Sequence, residues 1–326
     1  MEISTRELLA RRLIAQGLAG SAARPRYRGA LGVARALLAV QGQTYPAGIR
    51  ALALRSGRTD EEVLGEVAAL GLVRSWPQRG TLHFLPAEDV RWLSRLLYPR
   101  VAGSQRGHRP RLGLSEADVE AARRALHGAL REGGTRALSR KEAYEVFRRA
   151  GVDPEQGRGS HLLRALGGEG EVVQGPRRGA AETFLHVEHL PVAQREVHGA
   201  EALTELGARY AAGHGPVSVP DLMAWSKLSK TQAAAALTSA GGLLPVRCGG
   251  EDYWMAPWQD GVTPAEIAEA LSLRLELPAF DEYLLGYSAK DLVLPAALRG
   301  DVLTRNGLSW PWVMEGGVAV ASLRAR

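Results

Sequence analysis

Apolar positions recur at helical spacing through most of this chain, and each run of helices is followed by two short alternating stretches around a glycine-containing turn. In the first instance Thr59 and Glu62 form a capping box ahead of Val63, Leu64, Val67 and Leu70, which fall on one helical face, and Gly71 ends that helix. Leu72 to Trp76 and Thr81 to Leu85 then read as strands about Pro77-Gln78-Arg79-Gly80. In the second, Ser115 and Ser139 open helices, Glu142 sits at the box position, and a third helix covers Ser160 to Leu166. A hairpin from Glu171 to Val187 follows, turning at Gly175 to Gly179. The third begins with Ala200 to Tyr210, continues through caps at Ser218/Asp221 and Ser229/Gln232, and ends in a hairpin from Leu243 to Tyr253 turning at Gly249-Gly250.

Helices followed by a two-stranded wing, three times over, predict a predominantly α protein with small β hairpins (α+β): three tandem winged-helix units. The expected segments are an N-terminal helix and basic stretch (1–28), winged helices at 29–102, 103–189 and 190–257, and a C-terminal α/β element (258–326). Gly103 to Gly113 and Leu190 to His198 read as separators. Beyond a box at Thr263 and Glu266, Leu273 to Tyr287 and Trp310 to Leu323 look strand-like.

Charge adds a partner. The 326 residues carry a net +6, but residues 1 to 111 hold 18 Arg against 8 acids, whereas Glu251 to Glu282 has 8 acids against Arg274 alone. Guanidinium forks suit phosphates, so the first third is the candidate nucleic-acid face. A winged helix usually reads DNA with its third helix. The first unit departs from that habit, because its third helix carries Glu61, Glu62 and Glu66, which phosphates repel. The corresponding helices of the later units offer Arg158, His161 and Arg164, and Lys227 and Lys230, either as DNA contacts or as solvated faces.

Other chemistries drop out. Cys248 is alone, so an internal disulfide and thiolate clusters are excluded. His186, Glu188 and His189 converge poorly, and no metal is expected there. The longest uncharged run, Thr231 to Val246, is too short and too polar to cross a bilayer, and the first residues lack the apolar core of a secretory signal. A cytoplasmic protein is expected.

Leu37 to Pro46 contains two glutamines one residue apart, Gln41 and Gln43, between an apolar helix and the next element. Each amide offers one acceptor and two donors, so the pair either caps helix ends in a polar turn or converges on one bound group. Gln41-Gly42-Gln43, with Val73-Arg74-Ser75-Trp76-Pro77-Gln78-Arg79-Gly80-Thr81-Leu82-His83 and Phe280-Asp281-Glu282-Tyr283-Leu284-Leu285-Gly286-Tyr287, resembles the AlkZ-like winged-helix DNA glycosylases over almost the whole chain. The resemblance implies tandem winged helices in a C-shape around duplex DNA and excision of alkylated bases, with some members unhooking interstrand crosslinks. It implies that Gln41 and Gln43 are the catalytic pair. Two departures stand out: Gly42 occupies a position usually aliphatic, and Val318 to Arg324 replaces a Gly-Thr-Trp-Arg-like ending.

An amide is no base near neutral pH, so two glutamines can only position a water, and the leaving base must already be labile. Cationic N7-alkylguanine and N3-alkyladenine meet that condition. With few lysines and none near Gln41, a Schiff-base lyase is disfavoured and monofunctional hydrolysis without a cofactor is expected. Arg74, Arg79, Thr81 and His83 of the first wing are the further DNA-binding candidates. Asp281 and Glu282, in an acidic stretch, are expected to be structural or to brace an arginine of the active face. The partner would be double-stranded DNA with alkylated bases at the bacterial nucleoid, met by a monomer without an obligatory protein partner. A winged-helix transcription regulator or non-catalytic binder is the alternative.

Overall fold

The computed structural model describes residues 1–324. Its contacts gather into two compact units: Met1–Val63 with Gly199–Arg326, and Leu64–His198. The fold is mixed α+β with small sheets.

In the first unit, helix Thr5–Ala15 is buried on most of its length and packs against helix Pro264–Ser272. Helices Gly29–Leu37 and Tyr45–Ser56 pack on each other, and Gly199–His214 packs on Lys230–Ser239. The expected caps at Ser218, Ser229 and Thr263 are present as reciprocal boxes with Asp221, Gln232 and Glu266. Strands Leu244–Cys248 and Glu251–Met255 form the expected hairpin about Gly249-Gly250. A second sheet sets Trp312–Glu315 between Val318–Ser322 and Arg274–Leu277. Its inner face closes on Leu13, Ile14, Tyr283, Leu284, Trp312 and Met314. Leu273 to Tyr287 is not a continuous strand. It leaves the sheet after Leu277, and Asp281 caps a helical turn, Glu282–Leu285, by accepting from the Tyr283 N–H at 2.8 Å.

In the second unit one antiparallel sheet runs Thr81–Pro86, Leu72–Gln78, Val172–Gln174, Thr183–His186, Leu138–Ser139, so the two hairpins read separately from sequence are joined through Arg74 opposite Gln174. Helices Glu116–Glu132, Arg140–Arg149 and Arg158–Gly168 cover it around Trp76, Leu126, Phe147, Leu163, Leu166 and Phe184. Gly103 to Gly113 is not an open separator. Pro99 starts a helix, Pro99–His108, that continues into a tight turn at Arg109–Leu112 before Gly113 stops it. Helix Asp60–Ala68, where the units divide, keeps the Thr59–Glu62 box, with Glu61 and Glu62 exposed. Its apolar face is narrower than expected: Val63 and Val67 are buried, but Leu64 is 42% exposed.

Candidate active site

Helix Gly29–Leu37 ends without glycine. Leu38, at φ 67° and ψ −54°, makes a γ-turn in which the Ala39 N–H donates to the Leu37 carbonyl at 2.8 Å. This strained conformation is rare for a branched side chain, and burial of Leu38 holds it in place. It throws Val40–Gln41 into extended backbone, and the chain re-enters a helix, Tyr45–Ser56, with Pro46 in its first turn. Gln41 is 6% exposed, whereas Gln43 is exposed. The two amides thus differ: one is fixed among packed groups and the other meets solvent.

What holds the helix after Gln43 is a buried ion pair. Arg55, near its C-terminal end, donates from Nη1 and Nη2 to the two carboxylate oxygens of Asp281 at 2.9 and 2.8 Å, and both side chains are fully buried. The same guanidinium donates to Gln16 Oε1 at 2.7 Å and to the Ala51 carbonyl at 3.1 Å. Gln16 in turn donates to the Tyr287 hydroxyl at 3.0 Å and the Glu282 carbonyl at 3.3 Å. Burial opposes the charge on Arg55, but Asp281 outweighs it and leaves the guanidinium above its ordinary pKa. The Phe280 to Tyr287 string therefore braces the helix that follows the glutamine pair.

The rest of that string is equally internal. Glu282, fully buried, accepts from Trp225 Nε1 and lies 3.2 Å from His214 Nε2, while Tyr210 stacks on the His214 ring at 4.5 Å. Tyr283 donates to the Gly317 carbonyl at 3.1 Å and Tyr287 to the His214 carbonyl at 2.8 Å. Burial raises both phenols. Gly286 is required because a Cβ there would lie 2.7 Å from the Glu282 carbonyl oxygen and 3.0 Å from His214 Cδ2. A second buried pair, Arg12 with Asp221 at 2.8 Å, sits under the Tyr287 ring, whose centroid is 3.8 Å from the Arg12 guanidinium. Burial alone would raise the Asp221 carboxyl, but Arg12 and the Ser288 and Ser218 N–H groups hold it below the usual range.

In the second unit, Arg79 and Gly80 adopt φ 54° and 68° and make the two-residue turn of the first hairpin. Arg79 Nη2 lies 3.0 Å from His83 Nε2, and His83 Nδ1 lies 2.9 Å from the Thr81 carbonyl, so these three expected residues do cluster. His83 is fully buried and positions Arg79. Arg74, expected as a phosphate clamp, is 3% exposed and 3.6 Å from Glu182, which is the geometry of an internal pair. Arg158 pairs with Asp153 at 2.7 Å, Arg164 is half-buried, and Lys227 and Lys230 are exposed at the junction of two helices in the first unit. The basic excess of the first third is partly structural: Arg11, Arg12, Arg55, Arg74 and Arg109 are all buried. Gln16, Arg55, His214 and Trp225 were not legible as site residues, since their partners lie far along the chain. His186 ends its strand beside His127, ring centroids 4.7 Å apart, and burial together with that neighbour lowers its imidazole to about 4.

The scaffold is mixed α+β, and Gln41 and Gln43 lie on the segment between helices Gly29–Leu37 and Tyr45–Ser56. Residues 34–326 match the family described as DNA glycosylase AlkZ-like, and the chain belongs to that family of DNA N-glycosylases. It is 28% identical over 304 residues, spanning 87% of this chain and 79% of the relative, to an interstrand DNA cross-link repair glycosylase of Streptomyces sahachiroi. The solved structure of the Streptomyces sahachiroi DNA glycosylase AlkZ aligns with a TM-score of 0.80 at 25% identity, covering 98% of this chain and 87% of that one.

Proposed function

We propose that this protein is a monofunctional DNA glycosylase that hydrolyses the N-glycosidic bond of cationic alkylated purines, N7-alkylguanine and N3-alkyladenine, and that its substrates extend to interstrand crosslinks as the name of the Streptomyces relative states for that protein. The observation that carries the reading is the pairing of a buried Gln41 with an exposed Gln43 on a segment whose following helix is clamped by Arg55 and Asp281. Gln41 supplies a fixed amide and Gln43 meets water. In the reaction a water oxygen bonds to C1′ as the C1′–N bond breaks. The bonding pair goes to the base, whose positive charge it cancels, and the water proton passes to solvent after the oxocarbenium-like transition state. Neither amide takes a proton, so positioning and electrostatics supply the rate. No cofactor is required.

Arg79 and Thr81 at the first hairpin, Arg158 and Arg164 on the helix Arg158–Gly168, and Lys227 with Lys230 are the proposed DNA contacts, whereas His83, expected as a contact, is fully buried and supports the first hairpin from within, as Arg74 does. The winged-helix segmentation at 29–102, 103–189 and 190–257, the C-shape and the monomeric state belong to the same proposal. Incubation with duplex DNA carrying a single N7-methylguanine tests it: wild type releases the base, and Gln41→Ala and Gln43→Ala release it far more slowly. Equal release by all three removes the glutamines from catalysis. Efficient release of uracil without release of 7-methylguanine overturns the leaving-group argument.

A further inference from the structure

The second unit contains a cavity of 560 Å³ that the glutamine chemistry does not use. It lies between helix Pro99–His108 and the start of helix Arg158–Gly168, and its lining includes Gln105, His108, Ser160, His161 and Arg164 but no carboxylate. His161 is 7% exposed, yet its Nε2 has no hydrogen-bond partner among the described residues. A buried ring nitrogen without a partner is costly and calls for a group that the chain itself does not supply. Arg164, half-buried on the same helix one turn away, has no carboxylate partner among the described residues. Its neighbour Arg158 is paired with Asp153, and Arg109 with Glu116 at 2.7 Å, so those cations are already balanced.

We propose that this cavity seats a backbone phosphate of duplex DNA, with His161 Nε2 and the Arg164 guanidinium as its ligands. The assignment rests on the DNA-glycosylase reading and adds to it a fixed anchor away from the glutamines. Burial, then Arg109, His108 and Arg164, lower the His161 imidazole to about 4, so the ring is neutral at physiological pH and offers an N–H, while Arg164 brings the charge. Gln105 Nε2 on the cavity wall comes within 3.1 Å of where a Gly80 Cβ would stand, so the rim reaches the tip of the hairpin that carries Arg79.

Fluorescence anisotropy of the full chain with undamaged duplex, between about 50 and 200 mM salt, tests the seat. Arg164→Gln is expected to weaken binding about 10-fold and to reduce the slope of log affinity against log salt by about one. His161→Leu should weaken binding with the slope unchanged, and His161→Gln, which keeps a donor near Nε2, should recover part of the loss. Unchanged affinity and slope for Arg164→Gln overturns the proposal. That variant decides even if His161→Leu fails to fold, because the Arg164 side chain is only half-buried. A parallel titration with inorganic phosphate at constant ionic strength separates the sources. Saturable movement of the His161 ring resonances, with DNA affinity indifferent to both substitutions, makes the cavity a site for free phosphate and overturns the DNA assignment. Undamaged duplex is read without base release, so a wild type that releases no base would sink the catalytic reading while leaving this measurement intact.

Discussion

Replacing Asp281 by Asn removes the counter-charge from a guanidinium that is fully buried and held at 2.8 and 2.9 Å. The pair attraction at this spacing is about 6 kcal/mol at an effective dielectric near 20. Breaking a buried pair from one side leaves an uncompensated charge, and the expected loss is about 3–5 kcal/mol. At roughly 2–4 °C per kcal/mol for a body of this size, the transition of the first unit should fall by about 6–20 °C. Far-UV circular dichroism on heating, with urea titration for the free energy, reads both quantities. The companion variant replaces Arg55 by Met and Asp281 by Leu together. It removes both charges, so it should lose clearly less than the sum of Arg55→Met and Asp281→Leu made singly, although Gln16 and Ala51 each forfeit a donor and the Tyr283 N–H an acceptor at about 1–3 kcal/mol apiece. Asp281→Asn within about 1 kcal/mol of wild type, or a double variant whose loss equals the sum of the two single ones, would refute the claim that this pair acts as a unit bracing the helix after Gln43.

Other outcomes follow from the same geometry. Gln41→Ala and Gln43→Ala should each cut release of N7-methylguanine by about 10²–10³ in single-turnover assays while leaving duplex affinity within a factor of about two. Gly286→Ala forces the Glu282 carbonyl and His214 to shift and should cost about 1–3 kcal/mol by urea titration, with little effect from the same change at the open Gly128 beyond its helix propensity. The pH dependence has a defined sign. His161 and His186 are lowered to about 4 by burial first and cationic or imidazole neighbours second, so the unfolded chain binds their protons more readily; stability of the second unit should be full above about pH 6.5 and decline as pH falls towards 4. A flat melting temperature over that interval would contradict this, and His186→Gln should flatten the wild-type curve. Asp221, held below the usual carboxyl range, adds a loss in the first unit only below about pH 4, and Asp221→Asn should remove it.

The sequence by itself determined whatever depends on residues near one another in the chain. The caps at Thr59, Ser115, Ser139, Ser218, Ser229 and Thr263, the hairpin turns at Arg79-Gly80 and Gly249-Gly250, and the acidic exposed face of Asp60–Ala68 were all legible, because a cap or turn is closed by groups within about three or four residues. The Gln41-Gly42-Gln43 and Phe280 to Tyr287 strings also identified the family. Local pattern misled in two places: the glycine-rich run after Pro99 is helical, and Leu273 to Tyr287 leaves its strand after Leu277 and turns at Asp281, whose carboxylate both caps a helical turn and receives Arg55 from 226 residues away. Only the tertiary structure decided which arginines are buried. Arg12, Arg55 and Arg74 look in sequence like any exposed arginine of the chain, but each is buried and paired with a carboxylate far along the chain. Composition counts charges, whereas burial and pairing set which of them can meet DNA, and both are fixed by chain segments that meet only on folding.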